Sequence, residues 1–280
     1  MKQTLQCGRY RLPLELGRPL VMGILNVTPD SFSDGGRFDA LEFAVSRAEQ
    51  MLSDGVDIID IGGESSRPGV APVPLAEELR RVMPVVYALR DCGKPLSIDT
   101  YKPEVMREAL AADADMINDI NGFRGQGAVE AVADADCALC VMHMQGEPQN
   151  MQSKPQYEDV VGEVSSFLRE RLAVLEAAGV ARQRLVIDPG FGFGKTLEHN
   201  LALMRDMGRM QDAFGLPLLA GMSRKSMIGG LTGKLVEARL AGSLAAALAA
   251  TAQGVQILRV HDVAETVDAL AVWRAATGKD

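Results

Sequence analysis

A (β/α)8 TIM barrel with a short N-terminal hairpin is the fold class that the sequence predicts, on three observations. Eight short apolar and β-branched runs recur along the chain, separated by segments with helical spacing. No linker, internal repeat or low-complexity stretch interrupts the series, so the 280 residues read as one domain over 1–280. Most of the runs end on a polar residue or a glycine, as at Leu25-Asn26, Ile98-Asp99, Met142-His143 and Val260-His261. A doubly wound open sheet is the alternative for the same alternation.

In chain order, residues 5–18 read as a hairpin turned at Gly8 or Pro13, placed as a plug under the barrel. Strands are predicted at 20–25, 57–61, 95–99, 115–119, 138–142, 184–188, 217–221 and 255–260. A Gly-rich loop (30–36) and a helix over 39–53 follow the first. A Gly-, Ser- and Pro-rich loop (62–74) and a helix over 75–91 follow the second, with Leu79, Val82, Met83, Val86 and Leu89 on one face. Helices then start at Pro103, where proline fits a first turn, and span 128–133 and 157–178, the last ending at Gly179. Leu203, Met207, Met210 and Phe214 form a core stripe on the next helix, and amphipathic helices are expected after the seventh and eighth strands.

The organising stretch is Leu185 to Lys195, L-V-I-D-P-G-F-G-F-G-K, a buried strand that delivers Asp188 to a rim. It is not a phosphate-binding P-loop: the first glycine of that pattern falls on Pro189. Any one strand-end Asp is explained by a helix cap. Asp99, Asn118, Asp188 and Lys225 together, each at or just beyond a separate strand end, point to a shared site. Two carboxylates and an amide suit a flat heterocycle with several N–H donors. Asn26, Arg67, Arg259 and His261 supply a separate anion-binding patch.

Composition narrows the partners. A net charge of -8 with no long basic run argues against nucleic acid. No run of about 18 apolar residues exists and no leader pattern opens the chain, so a cytoplasmic protein away from the membrane is expected. Cys137 and Cys140 are three apart on a predicted strand and face opposite sides, which disfavours a metal pair.

The motifs Gly23–Gly36 (G-I-L-N-V-T-P-D-S-F-S-D-G-G), Asp60–Gly69 (D-I-G-G-E-S-S-R-P-G), Ser97-Ile-Asp99, Ile117-Asn-Asp119, Asp188–Lys195, Ser223-Arg-Lys225 and Arg259-Val-His261 occur in one order. Through them the chain, from about residue 20 to 275, resembles the dihydropteroate synthase family of folate biosynthesis. The resemblance implies a transferase that joins a dihydropterin diphosphate to p-aminobenzoate by dissociative substitution at the pterin methylene, releasing diphosphate. It implies that Asp99, Asn118, Asp188 and Lys225 bind the pterin, that Arg259 stacks on it, and that Met142, Phe193 and Gly221 line its pocket. Asp99, Lys225 and Arg259 would carry the catalytic roles. Asn26 would hold Mg²⁺ on the diphosphate, whose oxygens would also meet Ser66, Arg67, Arg259 and His261. Phe32, Ser66, Arg67, Pro68 and Ser223 would shape the p-aminobenzoate subsite, the target of sulfonamides. A homodimer is also implied. Two departures stand out: Ser66 where the family usually has Thr, and Tyr101, which reads as a surface variation. The alternatives are a pterin- or methyltetrahydrofolate-binding methyltransferase of the same superfamily, expected to lack the Ser-Ser-Arg-Pro-Gly loop, and a non-catalytic pterin-binding relative, expected to have lost Asp99, Lys225 or Arg259.

Overall fold

Eight parallel strands form the central sheet: β3 (Leu20–Asn26), β4 (Ile58–Gly62), β5 (Leu96–Asp99), β6 (Met116–Asp119), β7 (Ala138–Met142), β8 (Leu185–Asp188), β9 (Leu219–Ala220) and β10 (Ile257–Val260). The structure is a computed structural model and describes residues 4–14, 17–28, 37–65 and 69–278. The strand order is β8-β7-β6-β5-β4-β3-β10-β9. A parallel bridge between Ile187 and Leu218, with the Ile187 amide donating to the Pro217 carbonyl at 3.0 Å, closes the circle. The barrel is thus the observed architecture. β9 is shorter than the predicted 217–221, and at its start Pro217 has no N–H to give the ladder.

Alternation along each strand decides what faces inward. Ile59, Ile61, Ile98, Ile117, Leu139, Val141, Leu185 and Ile187 face outward and pack in the main core shared with the helices. Met22, Ile58, Met116, Cys140, Val186, Leu219 and Ile257 face inward and form a second, smaller core. Cys137 belongs to the first core and Cys140 to the second, so the two thiols do point apart, and both are free.

The N-terminal hairpin, β1 (Thr4–Cys7) and β2 (Tyr10–Pro13), turns at Gly8-Arg9 and plugs the lower end of the barrel. Leu5, Cys7 and Leu14 complete the inner apolar core. Buried Asp115, just before β6, anchors it: its carboxylate accepts from Arg9 Nε at 3.0 Å, Arg9 Nη2 at 2.8 Å and the Leu96 amide at 3.0 Å.

The surrounding helices are α1 (Arg37–Ser53), α2 (Leu75–Leu89), α3 (Pro103–Ala111), α4 (Ala128–Val132), α5 (Val160–Ala177), α6 (Leu197–Phe214), α7 (Ser226–Thr232), α8 (Leu240–Ala252) and α9 (Val263–Thr277). α6 opens with a capping box, in which Thr196 Oγ1 accepts from the His199 amide and His199 Nδ1 from the Thr196 amide, both at 3.2 Å. Its predicted stripe of Leu203, Met207, Met210 and Phe214 is buried. α5 begins three residues later than predicted: the Glu158 and Asp159 amides donate to Glu163 Oε1 at 2.8 and 3.1 Å, which caps the helix at Asp159. α8 departs from the amphipathic expectation: it has no charged residue, and its polar Ser243 and Thr251 are buried. Among the described residues no helix is long and apolar enough to cross a membrane.

Candidate active site

The upper half of the barrel interior is polar. One register row runs Asn26, Gly62, Asp99, Asn118 across β3 to β6, and Met142 pairs with Asp188 higher on β7 and β8. The predicted strand-end residues Asn26, Asp99, Asn118, Asp188 and Arg259 therefore share the inward face, as their spacing requires. Asp119, beside Asn118, faces outward and accepts from the Asn121 and Phe123 amides at 2.7 Å each, shaping the loop after β6.

Arg259 ties one side of the site together. Its Nε donates to Asp60 Oδ2 and its Nη2 to Asp99 Oδ2, each at 2.6 Å. Asn118 Nδ2 also reaches Asp60 Oδ2, at 3.3 Å. Burial works against the Arg259 charge, yet Asp60 and Asp99 more than offset it and hold its pKa above the ordinary value. Burial pushes the Asp99 carboxyl up to about 7; Arg259 opposes this and Asp60 adds to it. Gly221 lies beside Arg259, where a Cβ would sit 3.8 Å from that of the arginine.

Asp188 and Lys225 form the other side. The Asp188 carboxyl is raised by burial against the pull of Lys225 and of the Gly190 amide, which donates to its Oδ1 at 2.7 Å. Lys225, just ahead of α7, donates to the Phe191 carbonyl at 2.5 Å, and its Nζ lies 4.7 Å from the centre of the Phe193 ring. Burial lowers its pKa to about 8, with Asp188 opposing. Met142 and Phe193 join Ile120, Met144 and Met151 in an apolar wall below the rim.

Lys195, rejected above as a phosphate-loop lysine, is buried and structural. Its Nζ donates to the carbonyls of Gly190 at 2.9 Å and Phe193 at 3.0 Å and meets His143 Nδ1 at 3.0 Å. Gly190 has a φ of +69°, and a Cβ there would come within 1.8 Å of the His143 carbonyl oxygen, so the loop can close on β7 only at a glycine.

His261 and Ser223 form a third group. The buried Ser223 Oγ accepts from the His261 amide at 3.2 Å and lies 3.1 Å from His261 Nδ1. Burial, with Arg259 and Arg224 nearby, lowers the His261 pKa to about 4, so the imidazole is neutral near pH 7. It offers an anion an N–H rather than a full charge.

Asn26 is exposed at the end of β3. The absent side chain of Gly62 leaves a cradle between Asn26 and Asp99: a Cβ there would lie 3.7 Å from Asn26 Oδ1 and 3.8 Å from Asp99 Oδ2. No cluster of three acidic, His or Cys residues that could hold a metal occurs among the described residues. A single amide oxygen at an open cradle fits a magnesium ion that brings its own water and phosphate oxygens.

The sequence of residues 22–261 matches the family described as pterin binding enzymes. The chain is 52% identical over 263 residues to the Escherichia coli (strain K12) dihydropteroate synthase, covering 94% of this chain and 93% of that one. The chain belongs to the dihydropteroate synthase family. Two solved dihydropteroate synthases superpose on it closely. The Xanthomonas albilineans enzyme with 4-aminobenzoic acid gives a TM-score of 0.92 at 51% identity, covering 99% of each chain. The Burkholderia cenocepacia enzyme complexed with 7,8-dihydropteroate gives 0.89 at 54% identity, covering 99% of this chain and 97% of that one. These likenesses make the chain a transferase of the dihydropteroate synthase family and leave the methyltransferase alternative without support.

Phe32, Ser66, Arg67 and Pro68, expected at the aryl subsite, lie outside the described residues. Tyr101 corrects the sequence reading: it is no surface variation. It is half-buried against the apolar wall, and its hydroxyl donates to Glu64 Oε1 at 2.8 Å. Lys102 bonds both Glu64 and Glu78, and Thr100 Oγ1 donates to Glu78 Oε1 at 2.6 Å. Beside this network a cavity of about 610 Å³ opens between the loops after β4 to β7. Asp60 was missed as well. A carboxylate in the middle of the apolar run Ile58-Ile-Asp-Ile-Gly62 is its signal, since such a group folds inward only with a partner.

Proposed function

We propose that the upper barrel interior is the reaction centre for condensing 6-hydroxymethyl-7,8-dihydropterin diphosphate with p-aminobenzoate to 7,8-dihydropteroate. The observation that carries this reading is the convergence of Asp99, Asn118, Asp188, Lys225 and Arg259 on one face, carboxylates and cations interleaved. In this reading Asp188 and Asp99 accept N–H bonds from the pterin edge, and Asn118 offers both an acceptor and a donor. Met142 and Phe193 form the wall against the ring, Gly221 leaves it room, and Lys225 donates to a ring heteroatom. Arg259 stacks on the ring and turns an N–H toward the diphosphate.

The arylamine is neutral near pH 7 and is itself the nucleophile, so no activated serine or cysteine is required. The barrier lies in C–O cleavage, and residues that stabilise the departing anion lower it. Arg259 and Arg67 supply positive charge there, while His261, held by Ser223, and Ser66 supply hydrogen bonds. Asp99 and Asp188 stabilise the positive charge that spreads into the ring as the bond lengthens. Magnesium, held on Asn26, would supply further neutralisation of the diphosphate. Phe32, Ser66, Arg67, Pro68 and Ser223 frame the aryl subsite, where a sulfonamide would compete. A cytoplasmic homodimer belongs to the same reading, and exposed Leu231, Leu235 and Val236, next to the uncharged α8, are side chains such a contact would cover.

The test is diphosphate release by the purified chain with both substrates, each alone, and both after magnesium chelation. Release that needs both substrates and falls on chelation is expected. Equal release without the arylamine would make the chain a hydrolase and overturn the reading.

A further inference from the structure

Asp60 lies inside β4, two residues before the strand's end, and is fully buried beneath the site. Its Oδ2 accepts from both Arg259 Nε and Asn118 Nδ2. Nε and Nη2 lie along one edge of the planar guanidinium, so Asp60 holds one end of that edge and Asp99 the other. These bonds leave Nη1 available. The two carboxylates are not equivalent: Asp99 stands at the end of its strand, in the row with Asn26 and Asn118, whereas Asp60 sits a layer lower.

A ligand that recruits Asp99 as an acceptor competes with Arg259 for it. With Asp99 as its only partner, the guanidinium would be freed to rotate when the substrate arrives. A second carboxylate, below the ligand's reach, removes that freedom.

We propose that Asp60 is a positioning residue for the reaction, holding Arg259 by Nε and Asn118 by its amide so that Asp99 can turn to the substrate while both stay in place. It touches no substrate itself. Its other oxygen, Oδ1, has no hydrogen-bond partner among the described residues, and neither has Oγ of Ser97, its register neighbour on β5. A buried carboxylate with one oxygen unpaired is a poor stabilising device, because desolvating that oxygen is not repaid. A stability role alone would be served as well by a packed apolar pair in place of Asp60 and Arg259.

This inference rests on the role given above to Arg259, and the native chain's activity tests that role separately. Asp60→Asn, Asp60→Glu, Arg259→Lys and the Asp60→Asn/Arg259→Lys double variant would be compared for kcat, KM and Tm. Asp60→Asn leaves the buried Arg259 guanidinium with Asp99 as its charged partner, so Tm should fall, and kcat read well below that Tm should fall about tenfold to a hundredfold, the range for losing a charged hydrogen bond. Asp60→Glu, bulkier and less stable but still a carboxylate, should retain more kcat than Asp60→Asn. The double variant should be no slower than Arg259→Lys alone, because both changes act through one guanidinium. An unchanged kcat in Asp60→Asn, losses that multiply in the double variant, or an equal kcat loss in Leu5→Ala, destabilised in the apolar core away from the site, would each overturn the proposal. If Asp60→Asn does not fold, Asp60→Ser, which also lacks the carboxylate, takes its place in the cycle under the same criteria. An inactive native chain would instead refute the functional reading.

Discussion

The lower and upper halves of the barrel interior are built by the same strands on the same face, yet their chemistry is opposite. Ile58 lies two residues below Asp60, Met116 below Asn118, Val186 below Asp188 and Ile257 below Arg259. At roughly 3.3 Å of rise per residue, a dry core becomes a charged site within about 7 Å. The hairpin seals the lower half with Leu5, Cys7 and Leu14, while the upper half leaves Asp99 and Asp188 with raised pKa values and Lys225 with a lowered one. Height along a strand thus separates residues that hold the fold from residues that hold substrate, and the separation can be broken by moving chemistry from one half to the other.

The largest effect is expected from placing an upper-half group in the lower half. Val186→Asp buries a carboxylate among Met116, Ala138 and Ile257 with no cation provided. An uncompensated buried charge costs about 3–5 kcal/mol, so the variant should be unfolded or strongly destabilised in urea titration. Wild-type stability would show that water reaches the lower half and that the plug does not seal it. Leu5→Ala comes next, at about 2–5 kcal/mol for a cavity in a packed core. Its folded fraction should keep wild-type kcat/KM, which a stopped assay below the new Tm can check.

Asp188→Asn reverses the pattern. The amide must turn a donor toward a ligand N–H, and the loss of pterin affinity is about 1–3 kcal/mol. Tm should not fall, because a carboxyl that burial has already raised contributes little as an anion to the unliganded fold. Calorimetry with the pterin and a melting scan read the two quantities independently; unchanged affinity would remove Asp188 from the site.

The upper half was legible in the sequence because its residues stand where apolar runs stop. Asp99 and Asp188 end their strands, Asn118 stands one residue before the end of its own, and alternation places the three on one face once the runs are aligned. Asp60 breaks that pattern: it lies within its run, and only the register shows Asn118 and Arg259 converging on it from strands far apart in sequence. Tyr101 gave no local signal, since its partner Glu64 belongs to the loop of another strand. The plug was visible as a hairpin, but its clamp was not. Asp115 precedes a strand like any turn residue, and its bonds to Arg9 and Leu96 depend on β5 pairing beside it and on the hairpin docking from far off in sequence.

The smallest effect, and the one that sets the two properties of the upper half against each other, is the pH dependence. Asp99 must be ionised to accept from the pterin, and its carboxyl is raised to about 7, so kcat/KM should rise as pH passes through that value. Lys225 must be protonated and is lowered to about 8, so activity should fall again above it. His261 and His143 supply neither limb, since His261 is lowered to about 4 and His143 to about 3, and both are neutral throughout this range. Lys195, lowered to about 7, loses its proton in the same window as Asp99 ionises, but that change would lower activity with rising pH, not raise it. Stability should move the other way. A carboxyl whose folded pKa is raised contributes stability that is full below its unfolded value of about 4 and is lost as pH climbs through the folded one. Between pH 4 and 7, therefore, Tm of the native chain should decline relative to Asp99→Asn while its kcat/KM rises. Lys225→Arg should carry the alkaline limb upward, because arginine stays charged across this range. A native profile flat from pH 6 to 9, or one that rises in step with Tm, would mean that the upper-half charges do not gate turnover.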